Sequence, residues 1–230
     1  MRLRVLTWNL MHGRAVPPAG RDLQAEFGAV LAGWEWDLAL LQEVPPWWPE
    51  LLAAGAGQGT EHRLVLTSRN ALLPLRRALA VRWPDAIKSN GGGANAILVR
   101  APRLSVVEHA TLRLCLRPER RQLQAVRLVA GGQPLWVGNL HATVHDDAGS
   151  RRDSERARVA LLRWAAGAPV LLGGDFNVRD LELAGLDHAG GHDVDHFFVS
   201  GLEPLGAPQT LQRGALSDHA PVALTLMLPQ

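Results

Sequence analysis

The amino-acid sequence predicts a single α/β (α+β) domain whose sheets are at least partly antiparallel. Short apolar runs typical of strands alternate with segments whose apolar spacing is typical of helices, which favours an α/β architecture. Two strand-like runs in the second half are joined by "AGGQP", a hairpin signal, so a purely parallel sheet is disfavoured. The 230 residues contain no linker rich in Pro, Gly or Ser, so we predict one domain over residues 1–230.

Ten apolar runs have the length and composition of strands. In chain order they cover residues 3–8, 38–44, 62–68, 95–100, 104–116, 123–130, 135–142, 169–175, 194–200 and 221–228. Helical spacing of apolar residues predicts three helices, over 22–32, 71–82 and 151–166. The least regular segments hold many of the Gly, Pro, Asp and His residues and are predicted as loops around a site: 12–21, 85–94, 143–150 and 178–193.

Composition excludes several classes of protein. The hydrophobic share of 47% suits a buried core, and no run approaches the roughly 18 apolar residues of a membrane helix. The N-terminus enters the strand-like "LRVLTW" at once, so we expect a cytoplasmic protein without a secretory leader. The formal net charge is only +2, which by itself does not indicate nucleic-acid binding. The single cysteine, Cys115, excludes an internal disulfide.

Four of the strand-like runs end in polar side chains suited to a metal or a phosphate. They end at Asn9, at Glu43, at the pair Asn139 and His141, and at the pair Asp175 and Asn177. Side chains two residues apart on a strand point to the same face, so the members of each pair are expected to converge, while Phe176 points into the other layer. Gly173 and Gly174 leave room for a neighbouring backbone or a ligand to approach closely.

Two further segments place ionisable groups next to strands. "LSDHAPV" puts Asp218 and His219 just before the last strand, an unusual composition for a plain turn. "VDHFFVS" puts Asp195 at the start of an apolar strand, where an ionised carboxylate needs a partner such as a histidine.

The ordered set "TWN", "QEV", "GNLH", "GGDFN", "DHFFVS" and "LSDHAPV" resembles the endonuclease/exonuclease/phosphatase superfamily of divalent-metal phosphoesterases, over about residues 3 to 228. Each piece is weak alone, but six in the right order are specific. The resemblance implies a four-layered α/β sandwich of two mixed, mostly antiparallel sheets packed face to face and flanked by helices. It also implies a site where the strand ends of the two sheets meet.

The resemblance also implies roles for individual residues. Glu43 is the expected ligand of a Mg²⁺ or Mn²⁺ ion. Asn9 and Asp218 are expected to complete or border that metal site. The expected catalytic residues are Asp175, Asn177, His141, His219, Asp195 and Asn9. Asp175 would deprotonate or orient water, His219 held by Asp195 would bind phosphate, and His141 would be a general acid. The expected substrate-binding residues are Asn139, Arg121 and Asn95. The alternative for Arg121 is a solvated loop, and the alternative for Asn95 is a plain turn; both stay open.

Phosphodiester hydrolysis needs an aimed water, neutralised phosphate oxygens and a stabilised leaving oxygen, and these residue types supply all three. We therefore predict a metal-dependent hydrolase of phosphoesters, most directly a phosphodiesterase or nuclease, acting as a monomer. Phosphatase or phospholipase activity on a small or lipid phosphoester remains open, as does a non-catalytic module that binds a phosphate ligand. Met11 stands where abasic-site nucleases of the superfamily carry a metal-binding Asp, and the chain has no tyrosine, so that branch is disfavoured.

Overall fold

The computed structural model describes residues 1–100 and 104–229. Within these ranges the strands are β1 Arg2–Asn9, β2 Leu38–Val44, β3 Glu61–Leu66, β4 Ala94–Val99, β5 Leu104–Cys115, β6 Arg121–Ala130, β7 Gln133–His141, β8 Val170–Asp175, β9 Asp187–His192, β10 Asp195–Ser200, β11 Glu203–Pro204, β12 Gln209–Thr210 and β13 Val222–Met227. The α-helices are α1 Gln24–Gly33, α2 Pro49–Ala56, α3 Leu73–Arg82, α4 Pro84–Ile87 and α5 Asp147–Ala165.

The strands form two mixed sheets. The first has the order β11-β13-β1-β2-β4-β3, with β12 also paired to β13, and the second has the order β5-β6-β7-β8-β10-β9. One pair in each sheet is parallel, β1 with β2 and β7 with β8, and the other pairs are antiparallel. The predicted mixed, mostly antiparallel architecture is confirmed.

Three hydrophobic clusters separate four layers. Leu40 and Ile97 of the first sheet share the central cluster with Val137 and Phe197 of the second. A second cluster packs the outer face of the first sheet against α1 and α2, and a third packs the outer face of the second sheet against α5. Phe176 belongs to this third cluster, as its alternation with Asp175 predicted. The chain therefore folds into a four-layered sandwich, with the layers in the order helix, sheet, sheet, helix.

The two glycines before Asp175 allow close approaches within this sandwich. A Cβ on Gly173 would lie 2.7 Å from Cδ1 of Leu40, across the gap between the sheets. A Cβ on Gly174 would lie 2.0 Å from the carbonyl oxygen of Leu140 on the adjacent strand, and the φ of Gly174 is +140°. The expected need for small residues here is confirmed, because neither position has room for a side chain.

All ten predicted strands and all three predicted helices are present, with boundaries shifted by a few residues. The predicted loop 178–193 contains β9, whose sequence "DHAGGH" lacks strand patterning and which forms the edge beside β10. The predicted loop 143–150 contains the start of α5, where the side chain of Asp146 caps the helix by accepting from the backbone N–H of Gly149 at 3.0 Å. The helices α2 and α4 were also not predicted; each begins at a proline.

No helix in the described part of the chain is both long and apolar enough to cross a bilayer.

Candidate active site

The topology brings the polar strand ends to one end of the sandwich. In the first sheet, Asn9 at the end of β1 pairs with Gln42 on the parallel strand β2. In the second sheet, Asp175 at the end of β8 pairs with His141 at the end of β7 and with Asp195 at the start of the antiparallel strand β10. Because the two sheets pack face to face, these strand ends lie together at one end of the sandwich, which makes this end the candidate site.

Asp175 lies at the centre of this site and is almost completely buried. Its Oδ2 accepts a hydrogen bond from Nδ2 of Asn9 at 2.9 Å, and its Oδ1 accepts from the backbone N–H of Asn177 at 3.0 Å. Nε2 of His141 and Nε2 of His219 lie 3.6 and 3.8 Å from Oδ2. Burial, with the neighbouring carboxylate of Asp195, raises the pKa of Asp175 to about 7, although the charge of His219 opposes this shift.

Asp195 and His219 form a hydrogen-bonded pair beside Asp175. Nδ1 of His219 donates to Oδ2 of Asp195 at 2.8 Å, so the histidine partner expected for Asp195 is confirmed. Burial alone would lower the pKa of His219, but the hydrogen bond and charge of Asp195, with help from Asp175 and Asp218, raise it to about 9. His219 is therefore an imidazolium at neutral pH.

The loop that carries His219 is fixed to the first sheet. Oγ of Ser217 donates to the carbonyl oxygen of Asn9 at 2.7 Å and accepts from the backbone N–H of His219 at 3.1 Å. Nε1 of Trp8 donates to the carbonyl oxygen of His219 at 3.1 Å. These bonds hold the cationic ring in place without using its own polar atoms.

Glu43 faces the site from the end of β2. Its Oε1 lies 3.8 Å from Nε2 of His141 and its Oε2 lies 3.2 Å from Nε2 of His12. The pairing of β2 with β4 is irregular between Leu41 and Val44, and Glu43 has a φ of +50°, in the left-handed region that non-glycine residues seldom adopt. Strained backbone of this kind is concentrated at functional sites, and here it turns the carboxylate toward the histidines.

His141 is held in a buried network with Arg121. Nη1 of Arg121 lies 2.9 Å from Nδ1 of His141, and Nη2 of Arg121 pairs with Glu119 at 3.0 Å. Burial, followed by the charges of Arg121, His219 and His12, lowers the pKa of His141 well below its usual 6.5. The lowered pKa disfavours the charged ring, and the expected general-acid role of His141 stays a prediction.

One expectation about the site residues is wrong. Asn139 is completely buried between the sheets: its Nδ2 donates to the carbonyl oxygens of Leu41 and Ala96, at 3.0 and 2.9 Å, and its Oδ1 accepts from Nε2 of Gln42 at 2.8 Å. It therefore ties the sheets together and cannot bind substrate.

Asn9 positions Asp175 through its amide N–H, and its Oδ1 accepts from the backbone N–H of Met11 at 2.9 Å. The expected role of Asn9 at the border of a metal site stays a prediction.

The remaining predicted residues lie at the edge of the site. Asn177 has a φ of +54°, and its Nδ2 donates to the carbonyl oxygen of Ala142 at 3.2 Å. Asp218 is exposed, with Oδ1 3.5 Å from Oγ of Ser217. Asn95 is buried on the face toward the second sheet and donates to the carbonyl oxygen of Gln122 at 3.4 Å; its Oδ1 has no hydrogen-bond partner among the described residues.

His12 was not assigned from the sequence, yet it contacts Glu43. It stands three residues after Asn9 in "NLMHG" and has a φ of +54°. The following Gly13 packs against Trp48: a Cβ on Gly13 would lie 2.3 Å from Cη2 of that ring. The sequence did contain one signal, a histidine in the loop directly after a strand that ends at the site. That signal is weak by itself, because only the structure shows that the ring lies near Glu43.

Three of these side chains have the donors for a divalent cation. One carboxylate oxygen each from Asp175 and Asp195 and a ring nitrogen of His219 lie within 4.8 Å of one another. The hydrogen bond between His219 and Asp195 already uses Nδ1 of the ring and Oδ2 of the carboxylate. Glu43, which lies near His12 and His141, offers a second set of oxygen donors.

The family of the chain follows from its sequence. A model of the Endonuclease/Exonuclease/phosphatase family matches residues 6–219, a range that contains every residue of this site. This chain belongs to that family. No curated protein matches the sequence.

Several solved structures share the fold. An endonuclease/exonuclease/phosphatase from Bacteroides vulgatus is 16% identical with a TM-score of 0.76, covering 100% of both chains. A mannosyl-6-phosphatase from Bacteroides thetaiotaomicron is 16% identical with a TM-score of 0.74, covering 98% of this chain and 100% of that one. A humanized D. rerio TDP2 with 14 mutations is 16% identical with a TM-score of 0.69, covering 98% and 99%. At these identities the similarity establishes the sandwich fold.

Proposed function

We propose that this chain is a divalent-metal-dependent phosphodiesterase that uses Mg²⁺ or Mn²⁺. The observation that carries the proposal is the arrangement of Asp175 and the Asp195–His219 pair: a buried carboxylate with a pKa of about 7 beside a fixed imidazolium. A base that titrates near neutral pH and a cation for a phosphate oxygen are the two groups that hydrolysis of a phosphoester needs from a protein.

Asp175 is proposed as the general base. Its carboxylate is held by the amide of Asn9 and the backbone N–H of Asn177, so it cannot rotate away from an incoming water. With a pKa of about 7, a substantial fraction of Asp175 is ionised at neutral pH and can accept a proton from water. The same raised pKa makes it a far stronger base than an ordinary aspartate. Asn177 is proposed to steady the water and one phosphate oxygen.

His219 is proposed to bind the phosphate and, as the imidazolium, to give a proton to the leaving oxygen. Asp195 keeps the ring charged and oriented through its 2.8 Å hydrogen bond to Nδ1, which leaves Nε2 directed toward Asp175. This assignment gives His219 the proton-donor role first expected of His141. The ring of His141 and the guanidinium of Arg121 line the adjoining wall.

Glu43 is proposed to hold the metal ion, with Asp218 at the border of the same site. The chemistry of Glu43 fits the ion, because the carboxylate is one-quarter exposed, is turned inward by strained backbone, and is a hard oxygen donor. When bound, the ion supplies positive charge to the phosphate and to the developing charge on the leaving oxygen.

A cavity lined in part by the segment that follows His141 supports a diester over a monoester. It has a volume of about 580 Å³, and its wall includes Thr143, two residues beyond His141. Its lining is rich in arginine, with Arg113, Arg117, Arg152 and Arg156 against Asp146 and Asp153. A diester such as a nucleic acid strand continues beyond the scissile phosphate, and a positive wall there neutralises its next phosphate. The mannosyl-6-phosphatase with the same fold keeps monoester hydrolysis as the alternative.

The test compares four substrates with purified protein in Mg²⁺ or Mn²⁺: supercoiled plasmid DNA, single-stranded RNA, bis-p-nitrophenyl phosphate and p-nitrophenyl phosphate. Asp175→Asn is the inactive variant, and Asp187→Asn, on the exposed edge strand β9, is the matched control. We expect metal-dependent cleavage of the diesters that Asp175→Asn loses and Asp187→Asn keeps. Faster hydrolysis of the monoester would indicate a phosphatase instead of a phosphodiesterase. Phosphate binding without turnover would indicate a binding module.

A further inference from the structure

His12 has one ring nitrogen whose role is fixed by its partner. Nδ1 lies 3.2 Å from the carbonyl oxygen of Gly92. A carbonyl oxygen has no hydrogen to give, so Nδ1 is the donor. Histidines that bind metals almost always donate their other ring N–H to a carbonyl or a carboxylate, which fixes the tautomer and aims the ring. His12 already has that support.

The other ring nitrogen, Nε2, is aimed at Glu43. It lies 3.2 Å from Oε2 of the carboxylate. With Nδ1 as the donor, the neutral ring presents a lone pair at Nε2, and an acceptor then faces an acceptor. A proton or a cation must lie between or beside them. Two ligands at right angles on one octahedral cation, each about 2.1 Å from it, are roughly 3 Å apart. The observed separation fits such a pair of adjacent ligands.

The surrounding backbone is built around this ring. His12 and Glu43 both have a left-handed φ, at +54° and +50°. The glycine segment of "SNGGGAN" packs against His12: a Cβ on Gly93 would lie 3.3 Å from Cε1 of the ring. Asn70 holds that segment by donating from Nδ2 to the carbonyl oxygen of Gly93 at 2.9 Å. Strained residues on both sides of one contact indicate that the contact has a function.

We propose that Nε2 of His12 and the carboxylate of Glu43 bind the same divalent cation, so that the metal site of this chain is a mixed nitrogen and oxygen site. This inference rests on the proposed metal site at Glu43. Imidazole nitrogen suits Mn²⁺ and the later first-row metals, whereas Mg²⁺ prefers oxygen ligands and its own waters. His12 therefore gives the site a preference for Mn²⁺ over Mg²⁺. His12 directly follows Met11, whose own side chain offers only a thioether, a soft ligand.

The test measures binding directly on the metal-free protein. Mn²⁺ and Mg²⁺ are each titrated by calorimetry into the wild type, His12→Gln and Glu43→Gln, and the Mn²⁺ forms are examined by pulsed electron paramagnetic resonance for coupling to ¹⁴N. His62→Gln, on β3 at the opposite end of the sheet, is the matched histidine control. Glutamine at position 12 keeps an N–H that can donate to Glu43 but removes the imidazole nitrogen.

We expect His12→Gln to weaken Mn²⁺ binding at least about tenfold, with a smaller effect on Mg²⁺, and to remove a ¹⁴N coupling that His62→Gln retains. Equal loss of both metals, or a ¹⁴N coupling that survives in His12→Gln, would overturn the inference and leave His12 as a residue that positions Glu43. Wild-type protein that binds Mn²⁺ without any ¹⁴N coupling would also overturn it while sparing the proposed function. If Glu43→Gln leaves binding of both metals intact, the proposed metal site itself is wrong.

Discussion

Replacing Asp195 by Asn tests whether this carboxylate sets the charge of His219. The substitution keeps the shape of the side chain and removes its charge. In the wild type, the hydrogen bond and charge of Asp195 overcome burial and raise the pKa of His219 to about 9. In Asp195→Asn, burial is opposed mainly by Asp175 and Asp218, so we expect the pKa to fall to about 6.5 or lower. At neutral pH the ring changes from almost fully charged to largely neutral.

The size of this effect follows from the two pKa values. At about 1.36 kcal/mol per pKa unit, a fall from about 9 to 6.5 corresponds to a loss of about 3 kcal/mol of stabilisation of the imidazolium. Because the pKa of His219 is higher in the folded chain than in the unfolded chain, this stabilisation is fully present below about pH 6.5 and is lost as the pH rises through about 9. Unfolding free energy should therefore decline over that range in the wild type and much less in Asp195→Asn.

The assay is a titration of the histidine ring nitrogens by NMR on the metal-free protein. Asp193→Asn is the control, since Asp193 is nearby but half-exposed and paired with Arg179. The His219 midpoint should stay near 9 in the control and drop in Asp195→Asn. A midpoint that remains near 9 in Asp195→Asn would refute the assignment of Asp195 as the main source of the charge.

Three further predictions concern stability. Asn139→Ala removes three buried hydrogen bonds between the sheets, one from Gln42 and two to backbone carbonyls, so the unfolding free energy in urea should fall by roughly 3 kcal/mol, and no loss would contradict the bridging role. Gly174→Ala forces a Cβ onto the carbonyl of Leu140 at a φ of +140°, so little folded protein should be recovered, and a wild-type melting temperature would show that our packing argument is wrong. Because burial raises the pKa of Asp175 from 3.8 to about 7, its ionisation opposes folding; the metal-free wild type should lose stability between about pH 4 and 7 relative to Asp175→Asn, and parallel pH curves would contradict this.

Short-range patterns predicted the α/β class and the partly antiparallel sheets, because alternation and apolar runs depend on neighbouring residues. The four-layered sandwich, and a site where the strand ends of the two sheets meet, were implied by the resemblance to the family and not by local pattern. The edge strand β9 was missed because its "DHAGGH" sequence has no apolar alternation; it is a strand because β10 supplies its hydrogen bonds. Strand formation of this kind is a tertiary effect that a local pattern cannot show.

The roles of individual residues were harder to predict because they depend on depth and on neighbours distant in sequence. Asn139 and His141 share a face of β7, yet a step of two positions along the strand is enough to move Asn139 into the interior, against strands β2 and β4. His141 was predicted as a site residue from its strand end, but the lowering of its pKa arises from burial and from Arg121, twenty residues away. His12 contacts Glu43 only because two left-handed residues redirect the backbone, which no spacing rule indicates.

The most direct test of the account is the rate of hydrolysis of bis-p-nitrophenyl phosphate by the wild type and by Asp175→Asn, each with Mn²⁺ and each with EDTA. We predict turnover by the wild type in Mn²⁺, none in EDTA, and a loss of at least about a hundredfold in Asp175→Asn, since general-base catalysis contributes a factor of about 10² to 10⁴. Turnover of equal rate in Asp175→Asn, or hydrolysis that persists in EDTA, would contradict the proposed phosphodiesterase mechanism.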